Sequence, residues 1–158
     1  MKKWLIISSV LVVCFLVFVA GAYIRALQPK NEAADIAFAT AEEKAGIKKM
    51  DEFYLYNGHE SYSVVVGTTS GGDKQIVWIP ENDKQKVVVE HARNGKSKED
   101  ILSKVKKNRN PAEIVSVKLG MEKNVPLWEV TYLDESNSYN YDYYDFKTGE
   151  WLKYYRSI

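Results

Sequence analysis

The chain is poor in the residues on which most enzyme sites depend. Of its 158 residues one is cysteine and two are histidine. The cysteine, Cys14, lies in an apolar segment, so the rest of the chain has no disulfide, no thiol nucleophile and no thiolate metal site. A metal site built on His59 or His91 would need a third ligand at a suitable spacing, and none is visible. We therefore predict no metal and no cofactor.

Sequence motifs of catalysis are missing too. The chain contains no Gly-x-Ser-x-Gly, no His-Glu-x-x-His, no phosphate-binding loop and no dinucleotide fingerprint. The glycine-containing stretch 68–72 has no Lys-Ser/Thr after it and opens no helix, so we interpret it as a hairpin loop. No carboxylate is paired with a plausible base or nucleophile. These absences predict a protein that is not an enzyme.

Positive charge is scarce beyond residue 30. All 21 acidic residues lie there, whereas only 18 of the 22 basic ones do, which leaves a net charge of 18 − 21 = −3. An acidic balance excludes a general nucleic-acid binder, because such proteins need excess positive charge to meet phosphates.

One segment near the start has no charge at all. The 21 residues from Trp4 to Ile24 are mostly aliphatic, and Lys2 and Lys3 precede them. At about 1.5 Å per residue this helix spans about 30 Å, the hydrocarbon thickness of a bilayer. The basic start predicts a single-pass membrane protein with a cytoplasmic N-terminus and an extracytoplasmic C-terminal region.

The alternative for this segment is a cleavable signal, with Ala20-Gly21-Ala22 as the cleavage site. A lipoprotein anchor is disfavoured because Cys14 lies in the middle of the apolar run and follows Val13 rather than a small residue. We interpret Cys14 as a packed apolar thiol.

The rest of the chain shows the same order of signals twice. A helix from 32 to about 45, capped by Asn31 and ended by Gly46, precedes four strands; its apolar face is predicted to carry Ala33, Ile36, Ala37, Thr40 and Ala41. A second helix begins at Ser97 with a capping-box partner at Asp100. The predicted strands are 53–56, 62–66, 75–79 and 86–90, then 113–119, 127–133, 139–146 and 151–155, and an offset of 66 residues relates the two sets.

This repetition predicts an α+β fold: one N-terminal transmembrane helix, then two units, each a helix packed on an antiparallel sheet of about four strands. The predicted boundaries are 1–25 for the cytoplasmic start and membrane helix, 26–31 for a linker, 32–93 for the first unit and 94–158 for the second. At about 60 residues each the units are small, so we expect them to pack on one another.

The last predicted hairpin is crowded with aromatic residues. Strand alternation cannot bury all of them on one face, so either Tyr139, Tyr141 and Tyr143 or Tyr144 and Phe146 are expected to point outward. Tyrosine-rich surfaces suit protein contacts, and we predict that Tyr139, Tyr141 and Tyr143 bind a partner. The alternative is that this face forms the contact between the two units.

A basic cluster ends the second helix and consists of Lys104, Lys106, Lys107 and Arg109. Cations at that position favour the negative end of the helix dipole, which is the structural interpretation. The functional alternative is contact with anionic wall polymer or lipid headgroups.

The second unit resembles the PepSY pattern, in which an aromatic-aliphatic strand is followed by Asp-x-x-Thr-Gly. Asp145, Thr148 and Gly149 match that signature, and a tight turn explains it, because the glycine takes a positive φ and the carboxylate accepts backbone hydrogen bonds. The first unit departs from the pattern, with Pro80-Glu81-Asn82-Asp83 at this place. With Val77-Trp78-Ile79-Pro80 and the strand 127–133, the whole chain resembles the TseB-like regulators of cell wall elongation in Gram-positive bacteria.

That resemblance implies tandem cystatin-like units outside the cell and association with a class B penicillin-binding transpeptidase during lateral wall growth. PepSY units also occur in metallopeptidase propeptides, which gives a second interpretation, an inhibitor or chaperone of an extracytoplasmic peptidase. Contact with peptidoglycan is a third, although no sequence feature predicts a cleft for it.

Overall fold

The computed structural model describes residues 2–82 and 85–156. Met1 at the start of the predicted segment 1–25, Asp83 in the predicted turn, and Ser157 and Ile158 at the end of the predicted second unit lie outside the described residues. The chain divides into two compact units, Met1–Ile36 and Ala37–Ile158.

Helix α1, Lys2–Ala45, supplies all the described structure of the first unit. Its apolar side chains face outward instead of packing: the exposed large ones before residue 30 are Leu11, Val12, Val13, Phe15, Leu16, Val17, Phe18, Val19 and Tyr23. Within the described part of the chain, this is the one helix long and apolar enough to cross a membrane. Cys14 is exposed on it.

The prediction that Asn31 caps a new helix is wrong, because α1 runs without interruption through the predicted linker 26–31 and contains Pro29. Extending an existing helix fixes one residue for each hydrogen bond gained, whereas starting a new one fixes a whole turn for a single bond. The residues after Pro29 include Glu32, Ala33 and Ala34, which favour helix. Continuation therefore prevails over the local capping signal.

The last turns of α1 belong to the compact unit Ala37–Ile158 and cover one face of its first sheet. Ala37 and Ala41 are buried with Ile47, Val65 and Val77. Ile36, predicted to lie on the same helix face, is exposed instead.

Gly46 ends α1, as predicted. It has φ +65°, and its N–H donates to the carbonyl of Glu42 at 2.9 Å.

Two four-stranded antiparallel sheets follow. The first has the order β1-β2-β3-β4 and the second β5-β6-β7-β8. The first sheet comprises β1 Ile47–Asn57, β2 Ser61–Thr69, β3 Lys74–Pro80 and β4 Val88–His91. A 3₁₀ turn Ala92–Asn94 and helix α2 Lys98–Arg109 come next, and then β5 Glu113–Glu122, β6 Val125–Leu133, β7 Tyr139–Asp145 and β8 Trp151–Arg156.

The predicted repetition and fold class are confirmed. Adding 66 to the bounds of β1 gives 113–123 against Glu113–Glu122 for β5, and adding it to β3 gives 140–146 against Tyr139–Asp145 for β7. Residues 32–36 of the first predicted unit fall in the compact unit Met1–Ile36, and the rest of both predicted units falls in the compact unit Ala37–Ile158. The boundary between 93 and 94 stays a prediction.

One hydrophobic core joins the two sheets. Trp78 of β3 meets Phe146 edge to face with ring centroids 5.4 Å apart, and its Nε1 donates to the carbonyl of Gly120 in β5 at 2.9 Å. Tyr56 of β1 lies over Gly120, where an added Cβ would overlap its ring. The shared core agrees with the expectation that two small units stabilise each other.

Helix α2 covers one face of the second sheet. Ser97 and Asp100 form the predicted capping box, with the Ser97 side chain accepting from the Asp100 N–H and the Asp100 carboxylate accepting from the Ser97 N–H. Ile101 and Val105 are the buried residues of the helix and belong to the shared core. Asn110 ends it with φ 47°.

Candidate functional site

The second sheet has one face against α2 and one face without a helix. On the α2 side, Val130 of β6 stands opposite Asp142 of β7, and Trp128 stands opposite Tyr144. The alternate residues project to the other side, which we call the open face. Its residues include Glu129, Tyr139, Tyr141, Tyr143, Lys153 and Tyr155. Within the described residues no helix covers the open face.

The three predicted partner-binding tyrosines share the open face, with exposure that falls along the strand. Tyr139 is 45% exposed, Tyr141 is half-buried and Tyr143 is 6% exposed. The rings of Tyr143 and Tyr155 meet edge to face at 5.8 Å, and the Lys153 ammonium lies 4.4 Å from the Tyr143 centroid. Tyr139 and Tyr141 therefore offer contact area, while Tyr143 mainly supports its neighbours. Their role in binding stays a prediction.

The open face ends in a groove of about 790 Å³ between the β1–β2 and β5–β6 turns. Glu122 lines it. It accepts a hydrogen bond from the Tyr56 hydroxyl at 2.8 Å and forms an ion pair with Lys153. The groove walls are formed by Gly58, His59, Val125, Leu127, Leu152 and Tyr155, among others.

Glu122 and Lys153 form an ion pair in this groove. Burial alone raises the pKa of Glu122, but the hydrogen bonds from Lys153 and Tyr56 and the charge of Lys153 outweigh it, so the net pKa lies below its ordinary value. Burial lowers the pKa of Lys153, yet its hydrogen bond to Glu122 and the opposite charge raise the net value. Both groups therefore remain ionised near neutral pH. A paired, ionised couple is poorly suited to proton transfer, which needs a group that titrates near the working pH.

Tyrosines around the same groove also stay neutral. Burial is the main cause that raises the pKa of Tyr143 and of Tyr56, and nearby carboxylates add to it. The groove therefore offers hydroxyl donors and aromatic walls instead of a phenolate nucleophile.

A second groove of about 580 Å³ lies on the α2 side, against β8. Arg109 donates from Nε to the Asp142 carboxylate at 2.6 Å, and the Asp142 side chain is 1% exposed. The Arg109 guanidinium also lies 5.4 Å from the Trp151 ring centroid, and the Trp151 ring stacks on Tyr154. Arg156 lies over Tyr154 at 5.0 Å.

The predicted basic cluster at the end of α2 is thus divided. Arg109 forms an ion pair with Asp142 of β7, and the Lys104 ammonium donates to the carbonyl of Gly149. Both contacts are structural, because they tie the helix end to β7 and to the following turn, while the helix-dipole interpretation stays a prediction.

The turn after β7 is built as predicted. The Thr148 N–H donates to the Asp145 carboxylate at 2.7 Å, and the Gly149 N–H donates to the Asp145 carbonyl at 2.9 Å. Gly149 has φ 69°, in the left-handed region that favours glycine. The signature Asp145–Thr148–Gly149 is therefore structural.

The exposed apolar character of β8 was missed by the sequence interpretation. Trp151, Leu152, Tyr154 and Tyr155 are each between 44% and 57% exposed. The signal was present: four large apolar residues in six alternate between both faces of a strand, and an edge strand cannot bury both.

No group of three or more His, Cys, Asp or Glu residues that could hold a metal occurs in the part of the chain that the structure describes.

Two known protein families match parts of this chain. Residues 37–80 match the cell wall elongation regulator TseB-like domain, and residues 95–155 match the peptidase propeptide and YPEB (PepSY) domain. The probable cell wall elongation regulator TseB of Bacillus subtilis (strain 168) is 34% identical over 155 residues, which is 96% of this chain and 96% of that protein. The chain belongs to the TseB-like family of cell wall elongation regulators.

A solved structure supports the fold. The YpmB protein from Bacillus subtilis superposes with a TM-score of 0.70 at 35% identity, covering 78% of this chain and 96% of that one. The predicted resemblance to TseB-like regulators is confirmed by these matches. In this family member the TseB-like match covers the end of α1 and strands β1 to β3, and the PepSY match covers α2 and nearly all of the second sheet.

Proposed function

We propose that this protein is a non-catalytic, membrane-anchored regulator of cell wall elongation that binds a class B penicillin-binding transpeptidase outside the cytoplasm. The observation that carries the proposal is the match to a TseB regulator over nearly the whole chain. The two grooves of the second sheet add to it, because the Arg109–Asp142 and Lys153–Glu122 ion pairs lie beside aromatic side chains there. Such surfaces suit protein contact better than catalysis.

The apolar helix gives the proposed regulator its location. With Lys2 and Lys3 before the span, the N-terminus stays in the cytoplasm and both sheets face outward. Sharing the bilayer with a membrane-bound synthase raises the effective concentration of one protein near the other, so modest contacts between the folded regions suffice.

Partner recovery tests this function. The full chain, carrying a C-terminal affinity tag, is crosslinked in cells of its source and purified, and co-purifying transpeptidases are identified by mass spectrometry. A matched variant replaces residues 4–24 with an unrelated apolar span of equal length. Recovery of an elongation transpeptidase by both proteins supports the proposal, and a weaker yield from the variant assigns part of the contact to the helix. Finding no transpeptidase with either protein refutes it.

The match of residues 95–155 to the peptidase propeptide domain favours a second candidate, an inhibitor or chaperone of an extracytoplasmic peptidase. Purified chain at micromolar concentration is added to an extracellular metallopeptidase preparation and hydrolysis is followed. Unchanged hydrolysis across the preparation rules out the inhibitor, whereas slowed hydrolysis would favour it over the transpeptidase partner.

A further inference from the structure

Strand β8 is an outer strand of the second sheet, with apolar side chains on both of its faces. Within the described residues it pairs with β7 alone, so its other edge presents backbone N–H and C=O groups that no strand uses. Its four large apolar residues are all at least 44% exposed. Apolar exposure concentrated on one strand marks an interaction site.

Two grooves flank this strand on opposite faces of the sheet. On the α2 side, Trp151, Tyr154 and Arg156 border the groove of about 580 Å³. On the open face, Leu152 and Tyr155 border the groove of about 790 Å³. The side chains of a strand added to β8 would point alternately to the two faces. Successive residues of that strand would therefore enter the two grooves in turn.

The two grooves differ in chemistry. Lys104, Arg109 and Arg156 face the groove on the α2 side, against the single carboxylate of Glu150. Asp142 already neutralises Arg109, so the remaining cations favour an acidic side chain.

The groove on the open face has apolar walls from Val125, Leu127, Leu152 and Tyr155. Its Glu122 and Lys153 are paired with each other, and His59 and the exposed Lys123 also line it. The apolar walls suit an apolar side chain.

We propose that the free edge of β8 binds an extended segment of a partner protein by strand addition, and that this segment alternates carboxylate and apolar side chains. The identity of the partner rests on the function proposed above, whereas the chemistry of the segment rests on the two grooves alone. A second copy of this chain fits less well. Symmetric antiparallel pairing keeps the faces of the sheet, so it would bring Trp151, Tyr154 and Arg156 of the other copy to the cationic groove. The one carboxylate beside them is Glu150, so the second copy adds as many cations as anions there.

Labelled peptides test the proposed chemistry. The full chain in detergent micelles is titrated into short fluorescent peptides of three kinds: alternating Glu and Val, alternating Lys and Val, and a block of Glu followed by a block of Val. Fluorescence anisotropy reports binding. We expect the alternating Glu peptide to bind about tenfold more tightly than either control, a factor that corresponds to about 1.4 kcal/mol. Equal binding of all three peptides overturns the proposal.

Two variants place the binding on β8. Arg156→Glu reverses a cation on one face, and Tyr155→Lys removes apolar area on the other; both residues are exposed, and circular dichroism verifies that each variant folds. The matched control is Val89→Lys on β4, an outer strand of the first sheet, where Val89 is also exposed. Each β8 variant should weaken the alternating Glu peptide about tenfold, because like charge and lost apolar contact oppose binding, while the control does not. Unchanged affinity in both β8 variants overturns the proposal.

The same variants separate this inference from the proposed function. If a transpeptidase is recovered equally with wild type and both β8 variants, the strand-addition site is refuted and the proposed function stands. If no transpeptidase is recovered but the β8 variants still weaken binding of the alternating Glu peptide, the site stands and the proposed function fails. Sedimentation reports the oligomeric state. If the wild-type chain forms dimers and both Arg156→Glu and Tyr155→Lys abolish them, the edge binds a second copy of the chain and the proposal is overturned.

Discussion

Replacing Gly120 with alanine tests whether the two sheets depend on direct contact between the Tyr56 ring and the β5 backbone. An added Cβ would lie 2.3 Å from Cδ2 and 2.5 Å from Cγ of Tyr56. Carbon atoms in favourable contact stay about 3.5–4.0 Å apart, so the ring or the strand must move by about 1 Å or more. The ring has little room to do so, because Tyr56 is buried and its hydroxyl is bound to Glu122.

The expected cost follows from that geometry. Overpacking a filled core costs about 1–3 kcal/mol, and disturbing the Tyr56–Glu122 hydrogen bond adds about 1 kcal/mol. We expect Gly120→Ala to lower the free energy of unfolding by about 2–4 kcal/mol. For a chain of this size each kcal/mol moves Tm by about 2–4 °C, so the predicted fall is about 4–16 °C. Thermal unfolding of the full chain in micelles, followed by near-ultraviolet circular dichroism, measures it.

Two controls make this prediction strict. Gly71→Ala places a Cβ 3.8 Å from Thr69 Oγ1, an ordinary contact, and should change stability by less than about 0.5 kcal/mol. In a Tyr56→Leu background the ring is gone, so Gly120→Ala should cost much less, since contacting residues are coupled. If Gly120→Ala costs no more than Gly71→Ala, or costs the same with and without the Tyr56 ring, the assigned contact is not what holds the sheets together.

Three further predictions use the same unfolding assay. Arg109→Met should lower the free energy of unfolding by about 3 kcal/mol because it leaves the buried Asp142 carboxylate without its cation. Asp142→Asn should lower it less, because the Arg109 side chain is 28% exposed and can turn to water. Equal losses in the two variants would contradict this. Glu122 has a lowered pKa in the folded chain, so its contribution to stability is present above the ordinary carboxyl pKa and is lost as pH falls through the folded value. Glu122→Gln leaves Lys153 without its anion and should make the free energy of unfolding fall less steeply as the solution is acidified. An unchanged pH dependence would count against the pairing. Gly149→Ala should cost about 1–2 kcal/mol because residue 149 has φ 69°, and no loss of stability would mean the turn relaxes.

Local sequence signals predicted several caps and turns correctly. The capping box at Ser97, the glycine that ends α1 and the turn at Gly149 each depend on residues within a few positions of one another. The repeat of helix and strands was visible for the same reason, because periodicity and turn residues act locally. These features needed no knowledge of distant contacts.

Local signals were misleading where the chain had a better option nearby. Asn31 has the side chain of a helix cap, but the preceding residues are already helical, so no new helix begins there. Ile36 has the spacing of a core residue, yet the face that packs on the first sheet is set by Ala37 and Ala41, whose small side chains allow close approach. In both cases a neighbouring element prevailed over the local pattern.

The candidate site needed the tertiary structure. Glu122 and Lys153 are 31 residues apart and Arg109 and Asp142 are 33 apart, so no spacing rule joins them. The prediction that Tyr139, Tyr141 and Tyr143 share a face followed from strand alternation, but the burial of Tyr143 depends on β8 beside it.

The sequence by itself determined an apolar helix at one end, two helix-and-sheet units and the turns that close them, because hydrophobic period, caps and glycine conformations act over a few residues. Only the tertiary structure decided that α1 continues past Pro29, which side of the second sheet lacks a helix, and that β8 remains an outer strand with apolar residues on both faces. Those outcomes depend on which surfaces meet after the chain has folded back on itself, and pairings across tens of residues leave no periodic trace in the sequence.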